Sequence, residues 1–281
     1  MRTRTKKFII CVMLIMSAAI AIAVPSLTNK EIETIKNIID DRIEFTRLSE
    51  KDALSASKKY LEEKQLYAAT NGFSEQAKII IDNLLATEII SHLYQLDPKD
   101  PEIKKFISPK VEKAAQWLEK NKKESGVSAY LYCTTAEIIS SGLGYMTMSE
   151  IMSYGLKIKD YFIKATEIDS SLAFAYSGLA QWYYHAPGIA GGSTKKAYSN
   201  FELAYKNAST KGEKFMANIY MSQSFFNQKK YDEANKYLSV ADSILPESKL
   251  VGYIKKLNDA GYSYFYYMVN REEVEKKLKN S

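Results

Sequence analysis

The amino-acid sequence predicts an all-α protein built as an array of paired helices. Apolar residues recur at three- and four-residue intervals along most of the chain, which is the period of an amphipathic helix. Only 6 prolines and 12 glycines occur in 281 residues, so long helices are permitted nearly everywhere. No run alternates apolar and polar residues between hairpin turns, so we expect no strand. The break points along the chain indicate about eleven to thirteen helices.

The first half of the chain contains strong helix boundaries. Isoleucines between Ile32 and Ile43 lie on one face of a first helix. A second helix is expected to end at Asn71-Gly72, because glycine accepts the left-handed conformation of a helix cap. We place the start of a later helix at Pro109. At the other end of the chain, residues 250–279 predict one or two closing helices.

A motif of small and aromatic residues recurs in the second half. One unit has Tyr176, Leu179, Ala180 and Tyr183 followed by Ala197, Phe201 and Ala204. The next unit has Asn218, Met221, Ser222, Phe225, Ala234, Leu238 and Pro246, and a degenerate unit has Ile158, Phe162 and Ala165, with Ser149 expected to cap its second helix. This spacing resembles the tetratricopeptide repeat (TPR), a helix–turn–helix unit. It predicts a single all-helical TPR-like domain over residues 24–281, with repeats at 127–170, 172–209 and 215–248.

The first 23 residues have the form of a secretory signal peptide. Four basic residues precede an apolar run, and Ala21-Ile22-Ala23 supplies a small-residue cleavage site. We therefore expect an exported, periplasmic protein, with a single retained membrane anchor as the alternative. A lipid anchor is not expected at Cys11, because a small residue does not precede it. Cleavage would leave Cys133 as the one cysteine, too few for an internal disulfide.

Composition excludes some classes of partner. The chain has 39 basic and 33 acidic residues, a net charge of +6, and removal of the four basic residues of the signal lowers it to +2. No lysine or arginine stripe indicates a nucleic-acid partner.

The sequence shows no catalytic or metal-binding motif, so we expect a protein that is not an enzyme and has no cofactor. His92 and His185 are the two histidines, and neither lies in a metal-binding pair. Phosphate-binding loops and the serine-hydrolase motif are missing. Cys133 could act as a thiol nucleophile with a distant histidine. Its position in the middle of a helix favours a packed or groove-facing thiol instead.

A candidate binding surface follows from the repeat register. In a stack of helix pairs the first helices line the concave face. Residues one turn from the packing positions should face this groove, with two more a step further on: Cys133, Glu137, Ser140, Ser177, Gln181, Tyr184, His185, Ile219, Gln223, Phe226 and Asn227. Such a mixed lining suits a peptide or a small apolar ligand. Alternatively, extra helices fill the groove, and Tyr184 and Phe226 belong to the core.

A long turn at Ala186–Gly192 separates the helices of the clearest repeat. Pro187 ends the first helix, and the two glycines permit a close turn. Ser193 is expected to cap the second helix. Lys195 and Lys196 then lie in its first turn, where the helix dipole disfavours cations. They belong either to a solvated face or to a contact with a partner.

Residues 183–197, Tyr-Tyr-His-Ala-Pro-Gly-Ile-Ala-Gly-Gly-Ser-Thr-Lys-Lys-Ala, resemble a long-turn TPR form of exported bacterial repeat proteins. They look most like the T component of TPR-associated TRAP transporters, over about Val127 to Pro246. The resemblance implies an all-helical periplasmic protein, often lipid-anchored, that can form homo-oligomers and associates with a periplasmic solute-binding protein. It also implies repeats around a hydrophobic channel and a role in importing a small hydrophobic or organic-acid ligand.

Three functional hypotheses follow. The leading one is an exported, non-enzymatic TPR protein that binds a ligand or a protein partner of a TRAP-type transporter. The second is a general envelope scaffold that grips peptide segments of partner proteins, with Tyr184 and Phe226 as anchors. The third, a hydrolase using Cys133, has the least support.

Overall fold

The computed structural model describes residues 23–279, and its regular secondary structure within that range is entirely helical. The all-α repeat array is therefore confirmed. The predicted signal peptide, including Cys11, lies outside the described residues except for Ala23. The α-helices are α1 (Asn29–Arg42), α2 (Glu50–Thr70), α3 (Glu75–Leu96), α4 (Pro101–Asn121), α5 (Ala129–Gly142), α6 (Met148–Ser153), α7 (Ile158–Ile168), α8 (Ala173–His185), α9 (Thr194–Asn207), α10 (Lys211–Asn227), α11 (Tyr231–Ile244), α12 (Lys249–Asp259), α13 (Tyr264–Val269) and α14 (Arg271–Lys279).

Local chemistry sets most helix boundaries. The Thr28 side chain and Glu31 form a reciprocal capping box at the start of α1. Gly72, with a φ of +64°, follows the end of α2, as its position in the sequence predicts. The hydroxyl of Ser193 accepts a hydrogen bond from the backbone N–H of Lys196, which confirms Ser193 as the cap of α9.

Two predicted helix starts are wrong. Helix α4 begins at Pro101, because Asp100 caps it and proline fits the first turn, so Pro109 lies inside the helix. An apolar face formed by Ile103, Ile107 and Val111 is buried on both sides of Pro109, and its packing holds the helix together. Ser149 does not cap the second helix of the degenerate repeat. That helix, α7, starts nine residues later at Ile158, after the short helix α6.

The second half of the chain stacks as helix pairs: α5 with α7, α8 with α9, and α10 with α11. The small and aromatic motif residues form the contacts, and Ala180, Ala197 and Phe201 are completely buried. Gly178 is as important, because a Cβ placed there would lie 2.1 Å from a ring carbon of Phe162. The Phe162 ring of α7 can therefore pack against α8 only because residue 178 has no side chain.

The end of the array returns to its beginning. The backbone N–H of Gly212 in α10 donates to Asp40 Oδ1 in α1, at 2.6 Å. Arg271 of α14 donates to the backbone oxygens of Tyr94 and Gln95 at the end of α3, at 2.7 and 2.8 Å. The C-terminal segment contains three helices rather than the one or two predicted. These contacts join α10 to α1 and α14 to α3.

Candidate functional site

The residues predicted to line the groove occupy three kinds of position. Cys133 and Gln223 are completely buried, and His185 is exposed. Ile219 is also completely buried, and Ser140 is also exposed. The other six of the eleven predicted residues are half-buried: Glu137, Ser177, Gln181, Tyr184, Phe226 and Asn227. Several of these side chains meet helix α13 or the N-terminal helices.

Helix α13 occupies the groove beside α8 and α10. Phe265 is completely buried, with its ring 5.2 Å from that of Phe201 and 4.7 Å from that of Tyr184. The backbone N–H of Tyr264 donates to Gln223 Oε1 at 2.7 Å. An intramolecular segment thus uses the aromatic and amide groups that the sequence offers as a binding surface.

Four other groove candidates form two hydrogen-bonded pairs. The side-chain amide of Asn227 donates to the Tyr184 hydroxyl at 2.7 Å, so these two residues join α10 to α8. His185 Nε2 lies 3.2 Å from Gln181 Oε1 within α8. The Phe226 ring packs edge-on against Tyr231, with centroids 5.2 Å apart. No hydrogen bond between Glu137 and this group is present within residues 23–279.

Glu137 instead belongs to an ionic cluster that joins the first helices. Arg42 Nε lies 3.0 Å from Glu88 Oε2, and its Nη2 lies 3.3 Å from Glu137 Oε1. His92 Nδ1 contacts Glu50 Oε2 at 2.8 Å. Its Nε2 lies 3.1 Å from Glu88 Oε1, in a geometry that does not make a hydrogen bond. Helices α1, α2, α3 and α5 each contribute one or two of these five groups.

The pKa values of several groups in this ionic cluster are shifted from their usual values. Burial favours the neutral imidazole, but the hydrogen bond to Glu50 and the adjacent carboxylate of Glu88 outweigh it and raise the pKa of His92 to about 9. Burial opposes ionisation of Glu88 too, yet His92 and Arg42 lower the pKa of its carboxyl. Burial raises the pKa of Glu137 despite the attraction of Arg42. The cluster joins the helices through ion pairs, since its charged groups pair with one another.

Cys133 is placed poorly for nucleophilic chemistry. It lies on α5 with no exposed surface, and burial raises the pKa of its thiol well above the usual value. A neutral thiol is a weak nucleophile.

Across residues 23–279, no group of three or more histidine, cysteine or acidic side chains could hold a metal ion. In the same range, no helix has both the length and the apolar character needed to cross a bilayer.

A different surface carries the largest exposed apolar side chains near the repeats. Met148, Met152 and Leu156 lie four residues apart on the insertion between α5 and α7, and they are 74%, 60% and 64% exposed. Ile189, at the tip of the turn between α8 and α9, is fully exposed. We call these four residues the turn-edge surface, because both segments connect first helices to second helices at one edge of the array.

Trp182 lies near both the start of α7 and the turn between α8 and α9. Lys159, just after the first insertion, lies 5.3 Å above the Trp182 ring. On the other side, a Cβ at Gly191 would be 3.8 Å from the same ring. Gly191 has a φ of +95°, and the backbone N–H groups of Ala190 and Gly192 both donate to the Pro187 oxygen. The turn is therefore a closed, hydrogen-bonded structure that presents Ile189.

Sequence reasoning missed the turn-edge surface and most of the ionic cluster. Met148 and Met152 flank Glu150, the capping residue of a six-residue helix, so their spacing gives only a weak helical signal. Glu88 and His92 gave a clearer signal. They lie four residues apart in a mostly apolar stretch of α3, residues 84–93, where charged groups require partners.

Comparison with known proteins does not assign the chain to a family. No family model matches the chain, and no curated protein matches it significantly. The resemblance to the TRAP-associated TPR proteins is therefore a prediction based on motif spacing and residues 183–197.

Proposed function

We propose that this chain is an exported, non-enzymatic repeat protein that docks through the turn-edge surface onto a protein partner. In this proposal the partner is a periplasmic solute-binding protein of a TRAP-type transporter. The turn at Ala186–Gly192 connects the turn-edge surface with the TRAP-type partner, because it carries the resemblance to that family and also presents Ile189. The ligand transported by the assembly would be a small hydrophobic or organic-acid molecule.

The observation that carries the proposal is the exposure of four apolar side chains on ordered, neighbouring segments. Clustered exposed apolar residues with a polar rim are typical of protein interaction sites. Two lysines lie on the helices that follow these segments. Lys159 is held against Trp182, and Lys196 lies 5.3 Å above the Tyr183 ring. A partner with an apolar centre and acidic groups opposite these lysines would complement them in charge.

The chemistry of the interior supports a non-enzymatic role. The acidic groups of the ionic cluster are paired with Arg42 and His92. The buried Cys133 thiol is held neutral. Neither arrangement provides the accessible nucleophile and adjacent base that covalent catalysis needs.

A peptide-gripping scaffold is the second candidate, and one observation favours it. The groove beside Tyr184 already accommodates a helix with an inserted aromatic ring, Phe265 of α13. An aromatic segment of another protein could bind there by displacing α13. In that case Tyr184→Ala would weaken partner binding, whereas changes at the turn-edge surface would leave it unchanged.

Co-purification from the native envelope tests the proposal. The tagged wild-type chain should recover a solute-binding protein, and a variant combining Met152→Asp with Ile189→Asp should lose it. Leu66→Asp is the matched control, since Leu66 is 70% exposed on α2, away from the two insertions. Circular dichroism of all three proteins would establish equal folding.

Two outcomes would overturn the proposal. One is a wild-type protein that purifies alone, monomeric and without a bound apolar ligand. The other is equal recovery of the solute-binding protein by the folded Asp variant and by the wild type.

A further inference from the structure

A small cavity lies between helix α4 and the insertion that separates α5 from α7. Its volume is about 190 Å³, below the roughly 300–1,000 Å³ usual for drug-sized ligands, so it suits a smaller molecule. The insertion also carries Met148 and Met152 of the turn-edge surface, but neither of them lines the cavity. The cavity is therefore a separate feature of the same segment.

Two tyrosines and two aliphatic side chains form the apolar part of the lining. Tyr145 and Tyr154 of the insertion are half-buried, and Ile107 and Val111 of α4 are buried. The Tyr145 hydroxyl donates to the backbone oxygen of Pro98 at 3.0 Å, which holds that side chain in place. The faces of tyrosine rings attract cations as well as apolar groups.

The charged residues of the lining are both acidic, Glu112 of α4 and Glu150 of the insertion. One oxygen of each accepts a bond within the protein, from the Gln116 amide at 2.8 Å and from the Thr147 backbone N–H at 2.6 Å. The bond from Thr147 lowers the pKa of Glu150, so this carboxyl is ionised at neutral pH. Neither carboxylate forms an ion pair within residues 23–279. Lys104 acts on Glu150 from a distance, but it is exposed and does not line the cavity.

This lining selects an organic cation over other ligands. The two carboxylates would repel an anion, and a neutral molecule would leave them without a counter-charge. A metal ion does not fit, because the described part of the chain has no group of three or more side chains that could hold one. An unsubstituted ammonium is strongly hydrated and would lose water to the apolar wall, whereas N-methyl groups would pack against it.

We propose that this cavity binds a quaternary ammonium ion of the size of choline. The methyl groups of its head lie against the rings of Tyr145 and Tyr154, and its charge faces Glu112 and Glu150. The site depends on neither the turn-edge surface nor the proposed partner, so its failure in a binding experiment would leave the proposed function untouched.

Titration calorimetry of the full chain with choline and with neohexanol tests the site. Neohexanol is the neutral isostere in which carbon replaces the nitrogen, so the ratio of the two affinities isolates the effect of the charge. The wild type should prefer choline about tenfold or more. Glu112→Gln should reduce this preference about threefold, as expected for loss of one exposed charge pair.

Glu62→Gln is the matched control, since Glu62 is an exposed glutamate of α2 that does not line the cavity. It should leave the preference unchanged. Tyr154→Leu removes a ring face but keeps an apolar side chain, so it should weaken choline about threefold or more and leave neohexanol unaffected. Circular dichroism of each variant establishes that it is folded.

Three results would overturn the inference. The first is that folded wild-type protein does not bind choline, or binds neohexanol equally well. The second is an equal preference for choline in Glu112→Gln and Glu62→Gln. The third is tighter binding of methylammonium than of choline, which would show that the site does not select the methylated head.

Discussion

At the scale of single residues, the packing of the repeat depends on a glycine as much as on its large side chains. Gly178 of α8 lies under the buried ring of Phe162 from α7. The motif spacing predicts the small neighbour Ala180 and the aromatic Phe162 as packing residues. It could not show that Phe162 lies on Gly178, because that contact depends on how α7 approaches α8.

Gly178→Ala should destabilise the protein by about 1–3 kcal/mol, because the added methyl group overpacks a closed contact with the Phe162 ring. Gly252→Ala is the matched control. Gly252 lies in α12 with open space around its Cα, so alanine there should stabilise the helix by about 0.5–1 kcal/mol. Urea unfolding measures both free energies. Equal stability of the two variants would show that the contact is not restrictive.

His92 makes the stability of the fold dependent on pH. Its pKa is raised from 6.5 to about 9 in the folded state, so folding favours the protonated imidazole. The stabilisation is complete below about pH 6.5 and is lost as the pH rises through about 9. Since Glu50 is half-exposed, we expect a contribution on the order of 1–3 kcal/mol.

Unfolding free energies at pH 6 and pH 9.5 should therefore differ more for the wild type than for His92→Gln. Subtracting the two proteins cancels the titration of the tyrosines and of Glu137, which both contain. An identical pH dependence in the two proteins would contradict the role assigned to His92.

At the scale of elements, helix starts were predictable where the cap is local and wrong where several starts competed. Ser193 and Gly72 act through bonds or dihedral angles of their own segment. Pro109 also looked like a helix start. Asp100 and Pro101 begin the helix earlier, and packing of the apolar face then carries it through the second proline. Helix propensity alone does not include the free energy of that packing.

Arg271 makes the most specific contact between the C-terminal helices and α3. It donates to two backbone oxygens at the end of α3 and pairs with Glu275 at 2.7 Å. Hydrogen bonds from a charged donor contribute about 1.5–3 kcal/mol, so Arg271→Met should speed amide exchange in residues 264–279 about tenfold or more. Exchange in α11 should not change.

Lys277→Met is the control for that experiment. Its exposed ion pair with Glu273 within α14 contributes little, so exchange should stay close to that of the wild type. If both variants had the same exchange rates across residues 264–279, Arg271 would not be the anchor of this segment.

At the scale of the whole molecule, the closed arrangement of the array was beyond the reach of the sequence. Arg42 and Glu137 are 95 residues apart, and the bond from Gly212 to Asp40 spans 172 residues. Helical periodicity shows which face of each helix is apolar, but not which distant helix covers it. For the same reason the groove was predictable as a surface, while its occupation by α13 was not.

The turn-edge surface is also a property of the whole molecule. Its four residues come from two insertions that interrupt the repeat motif, and Trp182 lies near the end of one insertion and near the turn that forms the other. We propose that these interruptions, rather than the groove, are where the partner binds.

Site-specific photo-crosslinking tests this central claim most directly. A benzophenone amino acid at position 189 and one at position 66 are both highly exposed, but only the first lies on the turn-edge surface. In the native envelope, we predict a crosslink from position 189 to a solute-binding protein and none from position 66. Crosslinking of that protein from position 66 alone, or from neither position, would contradict the account.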